Sequence, residues 1–312
     1  MHPAFSVIFF TVASGAGYGL FMLLALAHIF GLVKMNAATI VLGGLISFVL
    51  ISGGLLSSTL HLANPKNAWR AFFRFRTSWL SREGVFAVLF YPLAFIYLFG
   101  AWLHEAGSNP LVTLFGLAAI LMALATVFST GMIYGCLKTI RQWNTALTPA
   151  NYILLGLSTG SVLLAFVLLA TGVNASPMAW LAATLLVLAG IAKAVYYFWI
   201  KTVVGPTINT ATGFTRARVR LLDVGHTAGT FLTDEFSHKT APNLVYQLKV
   251  LVFVLGFILP LFVMALLAAG HVGVWMTLLA VISTLAGIGV ERWLFFAEAR
   301  HVVNLYHGAQ HT

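Results

Sequence analysis

One histidine stands at the end of an apolar run, in Ser58-Thr59-Leu60-His61-Leu62-Ala63-Asn64-Pro65, and an adjacent arginine and acid, Arg82 and Glu83, open the next one. An imidazole titrates near neutral pH and can carry a proton, and a carboxylate beside it can pass that proton on. A guanidinium can hold an anionic oxygen. Placed at one depth, His61, Arg82 and Glu83 suit two-electron, two-proton chemistry on a quinone. Tyr18 and Trp69 offer rings to pack on it. A lone histidine at a membrane interface is equally often a hydrogen-bonded helix terminator.

The other ionisable groups are sparse. Lys193 lies eight residues before Lys201, about 12 Å of helix from the span's end. It reads as a snorkelling or paired lysine, or as part of a proton or quinone path. Glu291 and Glu298, seven apart, share a helix face and read as pairing with Arg or Lys of loops 4 and 6, with proton conduction as the alternative. His28 ends the first span without a histidine partner at its depth, so no haem is expected. Cys136 is the only cysteine, so neither a disulfide nor an iron–sulfur site can form within the chain. No metal-ligand spacing, Walker loop or nucleophile elbow occurs.

The elements that must position these groups follow from composition. Of 312 residues, 60% are hydrophobic and 8% charged, against about 25% charged in soluble domains. That excludes a soluble enzyme, a disordered chain and a typical nucleic-acid binder. Eight stretches are long and apolar enough to span a bilayer: about 5–32, 39–61, 84–103, 111–134, 151–171, 178–200, 246–269 and 272–297. The reading is an all-α integral membrane protein, a bundle of eight transmembrane helices forming one membrane domain over 1–312. The first run is too long for a signal peptide and reads as a retained span. Small residues crowd the first two spans, among them Gly15, Gly17, Gly19, Gly43, Ser47, Gly53 and Gly54. They fit close helix packing or room for a flat ring.

The charge, +10 overall, is unevenly placed. Thirteen of the 17 Lys and Arg fall in loops 2, 4 and 6 (about 62–83, 135–150 and 201–245) or at their helix ends, whereas loops 1, 3, 5 and 7 hold only Lys34 and Glu105. The positive-inside rule then puts the even loops and both termini in the cytoplasm of a bacterial inner membrane. Loop 6 is too long for a simple link and reads as a docking surface. Arg70, Arg74, Arg76, Arg141, Arg216, Arg218 and Arg220 are candidates for contacting a partner. His226, His238, His301, His307 and His311 read as surface or interface histidines.

The stretch from Ser58 to Arg70, with Ser78-Trp79-Leu80-Ser81-Arg82-Glu83, resembles the membrane-anchor subunits of the dimethyl sulfoxide reductase family. Ala63 stands where the family commonly has glycine. The segment 223–236 of loop 6 also looks like a family feature, and the eight-span plan and length match over the whole chain. The resemblance implies a quinone-reactive anchor without haem, using ubiquinone or menaquinone. Its partners would be an iron–sulfur, ferredoxin-like subunit and a molybdopterin catalytic subunit. The family's functional histidine and acid would fall on His61 and Glu83. An inward-facing basic loop 2 is similar to the anchor of a cytoplasmic sulfite dehydrogenase, which passes sulfite electrons to quinone. The alternatives are an anchor of a dimethyl sulfoxide reductase-type enzyme oxidising quinol and, from another class, a solute transporter, for which Lys193 is the one midplane charge.

Overall fold

The structure is a computed structural model that describes residues 2–59, 64–107, 109–225, 227–236, 238 and 240–312. Among the described residues, eight helical segments are long and apolar enough to cross a membrane. They are α1 (Phe5–Ile29), α2 (Ala37–Thr59), α3 (Trp79–Leu103), α4 (Pro110–Gly135), α5 (Leu147–Ala170) and α6 (Ser176–Thr202). The last two are the segment Pro242–Ala268 and α11 (Val274–Ala297). Between them, loop 6 carries the short helices α7 (Ile208–Thr212) and α8 (Phe231–Phe236). The span Pro242–Ala268 is two helices, α9 (Pro242–Phe253) and α10 (Leu259–Ala268), joined by a π turn over Val254–Ile258. Pro260 lacks the N–H that would reach back into that turn, and the Ser283 hydroxyl donates to the Leu255 carbonyl instead, at 2.8 Å.

The helix starts follow local chemistry. Asn109 caps α4, accepting from Leu111 N–H at 2.9 Å, and Pro110 sits at the first helical position, where its missing N–H costs nothing. Ser78 caps α3, accepting from Ser81 N–H. That cap starts α3 at Trp79, five residues before the apolar run begins in the sequence. Arg82 and Glu83 therefore lie inside the first turns of the span rather than at its mouth.

Helix α1 is the central element, packed against α2, α4, α5 and α11. Its glycines permit this. A Cβ at Gly19 would collide with the Gly156 carbonyl of α5, and one at Gly160 with the backbone of Gly19. Gly17 faces Ser47 and Ile51 of α2, and Gly54 faces Phe10 and Ser14 of α1. The small residues of the first two spans thus serve close packing where α1 meets both α2 and α5.

Contacts define the two ends of the bundle. At one end, the Ala106 carbonyl of loop 3 meets His28 (3.0 Å), and Asn36 of loop 1 donates to the Thr171 carbonyl of loop 5 (3.1 Å). At the other, His2 N–H donates to the Glu235 carbonyl of loop 6, Ile140 of loop 4 bridges to His301, and Thr207 of loop 6 bridges to His311. Both termini and the even-numbered loops share this second end.

Candidate functional site

Glu83 is held on the second turn of α3 and is only 5% exposed. The Thr130 hydroxyl of α4 donates to its Oε1. The same hydroxyl also lies 3.0 Å from the Thr126 carbonyl. A hydroxyl has one proton and two lone pairs, so these two contacts describe two arrangements. With Glu83 ionised, Thr130 donates to the carboxylate. With Glu83 neutral, the acid donates to Thr130 and Thr130 donates to Thr126. Thr130 can thus serve either protonation state by turning its hydroxyl hydrogen alone.

Tyr18 of α1 is buried and within electrostatic range of Glu83, its ring edge-on to Phe90 at 5.0 Å. Arg82 points elsewhere. One residue along a helix turns a side chain by about 100°, and its guanidinium donates to the carbonyls of Phe75 (3.0 Å) and Arg76 (2.9 Å) while stacking over Trp79 at 4.2 Å. Arg82 therefore ties loop 2 to the start of α3. Trp69 is 55% exposed on the 3₁₀ segment Pro65–Arg74, against Phe73 and Arg70, apart from buried Tyr18. His61 lies outside the described residues, as does His226.

A second polar cluster sits inside the bundle on the same side. Lys193 of α6 forms an ion pair with Glu291 of α11, and Glu291 also accepts from Arg292 Nε. All three are almost fully buried. Lys193 does not snorkel; its ammonium rests over the rings of Tyr196 (4.1 Å) and Tyr197 (4.7 Å). Nearer the end of the bundle, Lys249 donates to Glu298 at 2.6 Å. Glu298 thus finds a lysine at the end of loop 6, as its spacing suggests, whereas Glu291 pairs within the bundle and not with a loop. The signal for this was present in the sequence: Lys193 and Glu291 stand nine and six residues before the ends of helices that finish on the same face. A buried cation in hydrocarbon requires an anion at matching depth.

Between the two groups lies a small polar pocket lined by Thr11, Ser14, Thr130, Tyr152, Thr159 and Arg292, among others, with about 20 Å³ of space.

The family model described as DMSO reductase anchor subunit (DmsC) matches residues 1–297. The chain belongs to that family. It is 33% identical to a sulfite dehydrogenase subunit of Allochromatium vinosum, over 98% of this chain and 99% of that protein. It is also 28% identical to a polypeptide of the anaerobic dimethyl sulfoxide reductase of Escherichia coli, over 52% of this chain and 56% of that one. The protein is thus a multi-pass membrane anchor subunit of an oxidoreductase of this family, which leaves the transporter alternative without support.

On the anchor, the arginines singled out for docking are all exposed: Arg70, Arg74 and Arg76 in loop 2, Arg141 in loop 4, and Arg216, Arg218 and Arg220 in loop 6. These loops share one end of the bundle. They are braced from behind by Trp143, whose Nε1–H donates to the Phe295 carbonyl at 2.9 Å, and by Tyr196, whose hydroxyl donates to the Gln142 carbonyl at 3.0 Å. The C-terminal tail lies along loop 6, with Ile208 N–H bonded to Gln310 and Thr312 N–H to Pro206. At the opposite end, the Ala106 carbonyl can only accept, so His28 donates from Nε2, and its Nδ1 is hydrogen-bonded to the Tyr97 hydroxyl (2.8 Å). Among the described residues no group of three or more His, Cys, Asp or Glu is placed to hold a metal.

Proposed function

We propose that this anchor is the quinone-reactive subunit of a molybdopterin/iron–sulfur oxidoreductase that oxidises sulfite to sulfate in the cytoplasm of a bacterium. Electrons pass from a docked ferredoxin-like subunit to ubiquinone or menaquinone in the inner membrane. The observation that carries the reading is Glu83: a carboxyl buried in an apolar bundle, on a hydroxyl that serves both its protonation states, directly behind the basic end. Buried carboxyls are costly and are kept where protons must move. His61 is the hydrogen-bond donor and proton carrier at the quinone, and Glu83 exchanges the proton with the cytoplasm. Arg82 contributes by fixing the loop that bears the histidine motif, with Tyr18 and Trp69 as flanking rings.

The site belongs at the basic end because electrons arrive there. A site at the other face would leave them about 30 Å of hydrocarbon to cross. The cytoplasmic placement rests on the basic residues gathered in the even loops. The sulfite reading is supported by the full-length likeness to a subunit of a sulfite dehydrogenase. The half-length likeness to part of a dimethyl sulfoxide reductase supports the runner-up, a quinol-oxidising reductase anchor.

The test is the purified complex. It should contain a molybdenum subunit and an iron–sulfur subunit and reduce quinone with sulfite. Turnover with dimethyl sulfoxide and quinol instead would establish the runner-up. His61→Ala and Glu83→Gln should spare dye-linked activity of the soluble subunits while quinone-linked turnover falls by roughly 10²–10⁴. Full quinone-linked activity in both variants overturns the site.

A further inference from the structure

Among the described residues, the buried charged side chains are Glu83, Lys193, Glu291 and Arg292. With Glu83 neutral they sum to one positive charge; with Glu83 ionised they sum to zero. The surplus charge belongs to Arg292. Lys193 and Glu291 pair directly, and Arg292 spends only its Nε on Glu291. Its guanidinium lies over the Tyr152 ring at 4.2 Å and against the Tyr152 hydroxyl, which leaves most of the Nη1 and Nη2 hydrogens without an acceptor although the residue is 3% exposed. A guanidinium so placed requires an acceptor, since an unmet buried donor is expensive and a charged one more so.

The acceptor's place is the polar pocket, which Arg292 and Thr130 both line. Its space of about 20 Å³ exceeds what one water needs and is far below what a quinone ring needs. Its walls suit a water. The hydroxyls of Thr11, Ser14 and Thr159 spend their protons on helix carbonyls at 2.6–3.0 Å and keep lone pairs free. The Tyr152 hydroxyl is buried against the Arg292 guanidinium and keeps a lone pair to spare. Among the described residues, the titratable groups within electrostatic range of Glu83 are the phenols Tyr18 of α1, Tyr134 of α4 and Tyr152 of α5, neutral at physiological pH. Tyr134 and Tyr152 lie within range of Arg292 as well, so they flank both groups.

We propose that this pocket holds an ordered water joining Glu83, through Thr130, to Arg292, and that Arg292 is the counter-charge of ionised Glu83. When Glu83 releases its proton, Thr130 turns its hydroxyl from the Thr126 carbonyl to the carboxylate, and the water between Thr130 and Arg292 reorients to follow. The negative charge then faces a fixed positive one. Arg292 is a positioning residue: it does not touch the substrate and does not exchange its own proton. Lys193–Glu291 anchors it, which accounts for an ion pair buried between α6 and α11. The inference rests on the reading of Glu83 as proton carrier.

The test is infrared difference spectroscopy on the assembled complex, with the protonated-carboxyl band of Glu83 assigned by its loss in Glu83→Gln. In Arg292→Gln that band should grow, and quinone-linked turnover should fall by roughly tenfold or more, the effect of one charge removed at three hydrogen-bond lengths in protein. Dye-linked activity should not change. Arg292→Lys should keep both properties near wild type. A band unchanged in Arg292→Gln, or Gln and Lys variants that behave alike, overturns the proposal. If Arg292→Gln does not assemble, Thr159→Val takes its place. It removes a pocket hydroxyl and no charge, and should also raise the Glu83 band; an unchanged band overturns the proposal. Full quinone-linked turnover in Glu83→Gln would instead sink the reading of Glu83 itself, a separate outcome.

Discussion

Glu291→Gln is the sharpest perturbation the bundle offers. The change keeps size and removes one negative charge, leaving Lys193 and Arg292, at 1% and 3% exposure, as two cations without an anion. Breaking a buried pair by removing one partner typically costs about 3–5 kcal/mol, because the remaining charge stays desolvated and uncompensated. A kilocalorie shifts the midpoint by about 2–4 °C for 150–250 residues and by about 2 °C for a chain of this length, so a loss approaching 10 °C is expected. The same bundle holds its own control. Lys249–Glu298 is 15% and 21% exposed, so water reaches it and screens the charge left behind, and its loss costs less than that of the fully buried pair. Glu298→Gln should therefore move the midpoint by only a few degrees. The assay is thermal unfolding of the detergent-solubilised complex, followed by loss of the monodisperse peak. Equal shifts in the two variants would refute the argument that burial, rather than pairing as such, sets the cost.

Three further expectations concern the two ends of the bundle. Burial and the neighbouring His2 hold the His238 imidazole below its ordinary value, and burial against Phe236 does the same for His301. Because the folded state resists the proton that the unfolded state takes up near pH 6.5, this end is at full stability above that pH and loses stability as pH falls through it. Hydrogen exchange over 300–312 should quicken between pH 7.5 and 5.5, and a flat profile would refute the burial argument. A dithionite-reduced spectrum of the complex should lack b-type haem bands, since both ring nitrogens of His28 are already hydrogen-bonded; bands that vanish in His28→Ala would overturn this. A C-terminal fluorescent reporter that matures only in the cytoplasm should be bright, and a reporter active only in the periplasm would reverse the orientation.

The spans were legible because length and hydropathy decide them, and their order along the sequence fixes which loops share an end. Boundaries were less so. Sequence hydropathy begins the third span after Arg82-Glu83, yet the Ser78 cap begins the helix at Trp79 and carries Glu83 inside. The arginine beside it could not be assigned from proximity in sequence, because neighbours on a helix diverge and the loop carbonyls of Phe75 and Arg76 compete for the guanidinium. Glycine density in the first two spans signalled close approach but not the partner. Gly19 packs on Gly156 and Gly160, a pairing between elements more than a hundred residues apart that no local pattern encodes.

The least legible feature was the relation between the acids. In the sequence Glu83 stands out for its immediate neighbours, and Glu291 reads as an interface pairing residue because it shares a helix face with Glu298, seven residues on. Their common logic appears only when burial is known. A bundle with few polar groups must neutralise each charge it encloses, and Lys193 with Arg292 exceeds Glu291 by one. An enclosed volume with a standing surplus of positive charge lowers the cost of placing a negative one within it, and Glu83 is the enclosed carboxyl left to carry that charge. On this argument Lys193, Glu291 and Arg292 matter to Glu83 through their sum, so a variant that preserves the sum should disturb Glu83 less than one that preserves only the packing.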